Sequence, residues 1–144
     1  MICTYRRAEE ADREAIYRLY RLVMRGLISR IWGWEEQWQL DDFASHFDPH
    51  SISLACQGRT LAGYSQVEHR DGLLFIRMMV VHPGFRRNGI GRKLLGDAIA
   101  SADMQSESIG LEVFKINNKA KAFYESHGFM IEGDTTSSYI MVRA

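Results

Sequence analysis

The chain has 144 residues, 46% of them hydrophobic and 25% charged, which suits one compact domain with its own core and argues against both a disordered chain and a coiled-coil rod. Eighteen Lys and Arg balance eighteen Asp and Glu, so the global basic excess of a non-specific nucleic-acid binder is absent. Two cysteines, Cys3 and Cys56, supply neither a disulfide framework nor a metal-ligand spacing, and they predict a metal-free protein of a reducing, cytoplasmic compartment.

The opening residues Met1 to Arg7 turn charged before an apolar signal core forms, which predicts no export. The longest apolar run, Leu73 to Val81, contains Arg77 and falls short of the ~20 residues of a membrane-spanning helix. With two prolines and no repeat, a single domain over residues 1–144 is expected. A short strand near Ile2 to Arg6 precedes Ile16, Leu19, Tyr20, Val23 and Leu27, which recur at helical spacing. Gly33 interrupts this helix, and a second runs through Trp38, Leu40, Phe43 and Phe47 to the stop at Asp48-Pro49. Ile52, Leu54 and Cys56 alternate with small residues, Gly58 turns the chain, and Leu61 to Glu68 returns as a hairpin. Asp71-Gly72 leads into Leu73 to His82, whose near-continuous apolar character predicts the strand at the centre of the sheet. A helix through Ile90, Leu94, Leu95 and Ala98 follows, then a strand through Ile109, Leu111 and Val113. A short helix over Asn117 to Ser126 stops at Gly128, and strands near Phe129 to Glu132 and Ser137 to Val142 close the chain. The order β-α-α-β-β-β-α-β-α-β-β is that of a three-layer α+β domain.

Chemistry concentrates in Val80 to Leu95, where a buried strand enters a loop with Gly89 and Gly91 and a helix opens from it. The glycines remove side chains where a ligand would approach, and the first free amides of the helix point into that space with the positive end of its dipole. Such a loop is a diphosphate cradle, with Arg86, Arg87, Arg92 and Lys93 supplying positive charge around it. A nucleoside-triphosphate loop requires Gly-Lys-Ser/Thr, whereas Gly91 precedes Arg92-Lys93-Leu94. A dinucleotide fingerprint requires a small residue where Leu94 stands. An ordinary strand-to-helix turn with solvated arginines is the plain alternative.

Arg86-x-x-Gly89-x-Gly91 resembles the acyl-CoA pyrophosphate signature of the GNAT superfamily of N-acyltransferases. Leu111-Glu112-Val113, Asn117, Ala120, Phe123-Tyr124-Glu125 and Gly128-Phe129 resemble its second acyl-CoA motif, in the same order. The resemblance implies the acyl-CoA N-acyltransferase fold, a mixed, mostly antiparallel sheet with helices on both faces. It also implies transfer of an acetyl group from acetyl-CoA to the primary amine of a small molecule or protein. The amides of Arg87, Asn88, Gly89, Ile90 and Gly91, with Arg86 and Arg92, would hold the pyrophosphate. Met79, Val80 and Val81 would hydrogen-bond the pantetheine arm as a neighbouring strand does, and Asn117 would touch the same arm. Asn117, Ala120 and Tyr124 stand at i, i+3 and i+7, one face of a helix with a small residue in its middle.

By the same resemblance Tyr124 is the general acid, since a phenol near pKa 10 can hydrogen-bond a departing thiolate whose conjugate acid lies near ~8.5. Its other reading is a ring plugging helix against sheet. Many relatives carry a Glu on the central strand, where this chain has Arg77 and no carboxylate. Glu112 stands in the Glu/Tyr spacing of ribosomal-protein N-terminal acetyltransferases and is the base expected here, with a structural role as its alternative. Glu35, Glu36, Glu68 and His69 are further candidates. Trp32, Trp34 and Trp38 cluster at the break between the first two helices, where the family's acceptor pocket lies. Trp32 and Trp34 with Glu35 and Glu36 would suit a cationic amine, and core packing is the alternative for the rings. His82 and Cys56 read as structural. The expectation is direct attack of the amine in a ternary complex without metal, nucleic acid or membrane, by a monomer or a homodimer formed through an edge strand. A non-catalytic acyl-CoA-binding or sensor module is the rival from another class.

Overall fold

The computed structural model describes residues 2–144, so Met1 lies outside the account. Seven strands and four α-helices follow one another as β1 (Thr4–Arg7), α1 (Arg13–Ile31), α2 (Glu36–His46), β2 (Ile52–Gln57), β3 (Thr60–Arg70), β4 (Leu73–Val81), α3 (Ile90–Met104), β5 (Ile109–Phe114), α4 (Asn118–Glu125), β6 (Met130–Asp134) and β7 (Ser138–Arg143). The strands form one open sheet in the order β1-β2-β3-β4-β5-β7-β6. It is mixed: β1 with β2, β2 with β3, β5 with β7 and β6 with β7 run antiparallel, and β4 with β5 runs parallel. The element order read from the sequence is the observed one, with β4 fourth of seven. No α-helix among the described residues is long and apolar enough to cross a membrane.

The chain divides into two compact units, everything up to Gln66 together with Met78–Leu94, and Val67–Arg77 together with Leu95–Ala144. In the first, side chains alternate between two apolar clusters because successive residues of a strand point to opposite faces. Ile52, Leu54, Tyr64 and Val80 join Ile16 and Leu19 of α1 in one cluster, with Phe43 and Phe47 of α2 packed against it. Ala55, Ala62, Ile90 and Leu94 form the other, with Met79, Val81 and Phe85 against it. Each fully buried Ile or Leu is worth about 1.5–3 kcal/mol. Helix α1 ends where Gly33, at φ +82, donates to the carbonyls of Ile28 and Ser29, a glycine terminator in the left-handed region.

A bulge in β3 sets the end of β4. Ala55 pairs with Gly63 and Cys56 with Leu61, so Ala62 is the extra residue, and its carbonyl accepts from the His82 amide at 2.7 Å. A Cβ on Gly63 would stand 2.9 Å from the Val80 carbonyl oxygen, which is why this strand interior carries a glycine. Strand β4 stops at Val81, one residue before the expected end, because His82 opens the Pro83 turn, its Nδ1 accepting from the Gly84 amide at 2.9 Å.

In the second unit Leu74, Ile76, Leu95, Ala98, Ile109, Leu111, Val113, Phe129 and Met141 are buried. The parallel ladder sets Leu74 beside Ile109 and Ile76 beside Leu111, and β5 pairs with β7 from Ile109–Arg143 to Phe114–Ser138. Asp71 and Gly72, both at positive φ, turn the chain from β3 into β4. The fourth helix departs from the sequence reading at its start: Asn117 precedes it and caps it, Oδ1 accepting from the Ala120 amide at 3.3 Å. An Asn side chain competes for helix-start amides better than it serves inside a helix.

Candidate active site

The loop after β4 is built to leave backbone uncovered. Pro83–Phe85 makes one 3₁₀ turn, Arg86 is extended, and Arg87 and Gly89 take φ of +69 and +78. A left-handed arginine stores strain, which in functional loops accompanies a required backbone shape. The Asn88 side-chain NH₂ donates to the Phe85 carbonyl at 3.1 Å, and Phe85 and Ile90 are anchored in the apolar cluster below. The first turn of α3 closes with the Lys93 amide donating to the Gly89 carbonyl at 2.9 Å. The amides of Gly89, Ile90, Gly91 and Arg92 therefore precede the first intrahelical bond. A Cβ placed on Gly89 would meet nothing within 4 Å: the space above the helix start is open.

The surrounding charges divide. Arg86, Arg87 and Arg92 are exposed, whereas the Lys93 ammonium lies 5.6 Å from the Tyr5 ring centroid and is turned to β1. Val80 is buried, and Met79 and Val81 pack their side chains with Ile90. These three residues thus use their side chains for the core and leave only main chain for a ligand.

In the second unit Tyr124 is buried, its ring edge-on to Phe123 at 5.5 Å and Phe129 at 5.8 Å. Burial pushes its phenol up to about 12, so it holds its proton through the neutral range and acts as a donor. Asn117 spends its carbonyl oxygen on the α4 cap, leaving its NH₂ available, and Ala120 is half-buried. Glu112 lies on the face of β5 opposite the buried Leu111 and Val113 and is exposed beside Ile140. Among the described residues it has no hydrogen-bond or ion-pair partner. The other acid–base candidates are engaged. Glu68 pairs with Arg70 at 2.5 Å, and His69 with Glu107 at 3.1 Å.

Between α1 and α2 the predicted acceptor-site residues carry structural duties. Glu35 caps α2 through the amides of Gln37 at 3.2 Å and Trp38 at 2.9 Å. Glu36 accepts from the Tyr17 hydroxyl at 2.5 Å, the Arg21 Nε at 2.7 Å and the Trp34 indole at 3.2 Å. These donors, Tyr17 foremost, hold its carboxyl down to about 2. Trp34 sits 6.0 Å from Tyr20. Trp32 and Trp38 are exposed, at 66% and 59%. The sequence reading missed Tyr17 and Arg21 as partners of Glu36; they share one face of α1 at i and i+4 but lie 19 and 15 residues from Glu36, so no local pattern signals the contact. It also missed Glu107, whose Oε1 is buried without a partner. No group of three or more His, Cys, Asp or Glu among the described residues could hold a metal ion.

Residues 13–129 match the Acetyltransferase (GNAT) family. The chain belongs to that family. Solved structures carry the same fold at low identity. The PaiA N-acetyltransferase from Thermoplasma acidophilum, in complex with coenzyme A, aligns over 99% of each chain with 18% identity and a TM-score of 0.82. The ribosomal-protein-S18-alanine N-acetyltransferase from Escherichia coli is 23% identical, covers 99% of this chain and 93% of its own, and has a TM-score of 0.75. Arabidopsis thaliana Naa50, in complex with the bisubstrate analogue CoA-Ac-MVNAL, aligns over 100% of this chain and 99% of its own at 17% identity and a TM-score of 0.71. A sequence search of curated proteins finds no match. This GNAT chain thus has the seven-stranded mixed sheet of those acetyltransferases.

Proposed function

We propose that this GNAT protein is an acetyl-CoA-dependent N-acetyltransferase acting on a primary amine by direct attack in a ternary complex. The observation that carries the proposal is the uncovered start of α3: four leading amides, two residues held at positive φ and open space over Gly89. Backbone donors with a helix dipole behind them suit two adjacent phosphates, and Arg86, Arg87 and Arg92 add charge at the rim. The main chain of Met79 to Val81 and the NH₂ of Asn117 would hold the pantetheine arm. The coenzyme A bound in the T. acidophilum structure and the CoA-containing bisubstrate analogue in the Arabidopsis one support this choice of donor.

The chemistry is one transfer. Amine nitrogen bonds to the acetyl carbon, the carbon–sulfur bond breaks, the thiolate takes a proton and the new amide nitrogen loses one. Tyr124 is assigned to the thiolate as a donor. With its phenol near 12 it stabilises sulfur chiefly by hydrogen bonding, because the acid of the thiolate is stronger, near ~8.5. Glu112, whose carboxylate has no competing partner, is assigned as base. Trp32 and Trp34 offer aromatic surface to the acceptor, and Glu35 and Glu36 contribute their negative charge to it rather than a proton-accepting oxygen. The free thiols Cys3 and Cys56 suit a cytoplasmic setting.

The test is to incubate the protein with acetyl-CoA and a panel of amines while following thiol release and acetyl-amine by mass spectrometry. Product with stoichiometric thiol is expected. Tight acetyl-CoA binding with no thiol release from any amine would leave a non-catalytic acyl-CoA sensor instead.

A further inference from the structure

His82 stands where β4 leaves the sheet and the cradle loop begins, and three of its hydrogen-bonding groups hold main chain. Its amide donates to the Ala62 carbonyl in the β3 bulge at 2.7 Å, its carbonyl accepts from the Phe85 amide at 2.9 Å, and its ring Nδ1 accepts from the Gly84 amide at 2.9 Å. The ring is half-buried and edge-on to that of Phe85, with centroids 5.5 Å apart and planes at 83°. Phe85 in turn packs against the cluster of Ala55, Ala62, Ile90 and Leu94. The two rings therefore tie the loop to the same apolar cluster that seats Ile90, the first residue of α3.

From Phe85 the hold passes to the cradle. The Phe85 carbonyl accepts from the Asn88 side chain at 3.1 Å, and Asn88 lies between Arg87 and Gly89, the two residues held at positive φ. The bulge, His82, Phe85 and Asn88 form one chain of contacts that ends at the leading amides of α3. Gly84 completes the fit. Beyond its two chain neighbours, the described atoms within 4 Å of a Cβ built there are Nδ1 and Cε1 of His82, at 3.3 and 3.4 Å. Its φ lies outside the left-handed region, so the backbone itself does not call for glycine; the missing side chain makes room for the imidazole.

We propose that His82 is a positioning residue for acetyl-CoA binding: the lone pair of its Nδ1, set against the Gly84 amide, fixes the shape of the loop that presents the pyrophosphate amides. The inference rests on reading that loop as the acyl-CoA cradle. A ring nitrogen accepts from an amide only where it carries no hydrogen, so the neutral ring bears its hydrogen on Nε2. Asparagine offers an oxygen that can accept from the amide two residues on, without the ring that meets Phe85. The role thus divides into an acceptor, which asparagine can replace, and a packing surface, which it cannot.

Acetyl-CoA affinity by calorimetry, with thermal denaturation alongside, tests the assignment. His82→Ala should weaken binding about tenfold, the upper end of what one hydrogen bond supplies, and His82→Asn should recover most of that loss. Gly84→Ala should weaken binding by itself and do nothing further in the His82→Ala chain, where no ring is left to displace. On the native chain, a long-range proton–nitrogen NMR spectrum should place the His82 hydrogen on Nε2. Where His82→Ala does not fold, the Asn variant, Gly84→Ala and the native spectrum decide. A His82→Ala chain with a lower denaturation midpoint but native affinity would leave a stability cap and overturn the proposal. So would an Asn variant no better than Ala, a Gly84→Ala effect that persists without the ring, or a native ring with its hydrogen on Nδ1. A native chain that does not bind acetyl-CoA at all would instead overturn the cradle reading, and this inference with it.

Discussion

Two stretches of this chain are rich in residues capable of chemistry, and they end up in opposite conditions. Around the α1–α2 break, Glu35 and Glu36 between them accept from five donors: two backbone amides, a phenol, a guanidinium and an indole. In the loop after β4, the amides opening α3 precede the first helical bond, Arg87 and Gly89 hold left-handed backbone, and the space above Gly89 is open. Composition alone made both look functional. What separates them is hydrogen-bonding capacity left over after folding, and backbone strain retained where it shapes a surface.

The sharpest way to break that contrast is Gly89→Val. The substitution forces a β-branched residue to φ +78 and fills the open space, so acetyl-CoA affinity by calorimetry should fall on the order of a hundredfold, ~2.7 kcal/mol. Unchanged affinity would detach this loop from the donor. Arg87→Gly is its control: glycine adopts φ +69 without strain, so whatever affinity is lost belongs to the guanidinium, and thermal stability should not drop.

Tyr124→Phe keeps the ring among Phe123 and Phe129 and removes only the hydroxyl. The turnover number should fall roughly a hundredfold with KM for acetyl-CoA little changed, and a fully active Phe variant would return Tyr124 to packing alone. A pH series gives an independent reading. The folded phenol titrates near 12 against an ordinary value of 10.0. Between those values the native state holds a proton that the unfolded state has released, so stability falls as pH rises through the window. The difference between native and Phe variants should be flat below pH 10 and slope above it.

Glu112→Gln sharpens the same division on the carboxylate side. An exposed side chain without a partner carries little stability, within about 0.5 kcal/mol, so the change should leave the denaturation midpoint alone while lowering turnover at least about tenfold. A turnover unaffected across the pH range would remove Glu112 as base and leave water as the acceptor of the proton.

How much of this was legible beforehand follows from the range of the interactions. The order of elements was readable because hydrophobic period and turn glycines act within a few residues, and the cradle was readable because glycine marks backbone that must stay bare. The role of Glu36 was hidden: its partners Tyr17 and Arg21 lie 19 and 15 residues away, and no local pattern couples them. Asn117 was readable as important but not as a cap, since one residue's shift at a helix start decides between the two. The Ala62 bulge, which ends β4 through the His82 amide, left only Gly63 as its trace.

Glu36→Gln tests the other half of the comparison and carries the smallest effect. Its carboxyl titrates near 2 in the folded chain against 4.5 ordinarily, so between those values the unfolded state binds a proton that the native state refuses. The stability it contributes is fully present above about pH 4.5 and is lost as pH falls towards 2. Because the group is solvent-exposed, screening reduces the amount, and the signature is the shape of the curve more than its height. The Gln variant should be less stable than the native chain at neutral pH and lose less on acidification, the two curves converging near pH 2. Parallel curves across that window would mean that Tyr17 and Arg21 do not hold the carboxylate in solution, and the α1–α2 corner would again have a carboxylate to spare.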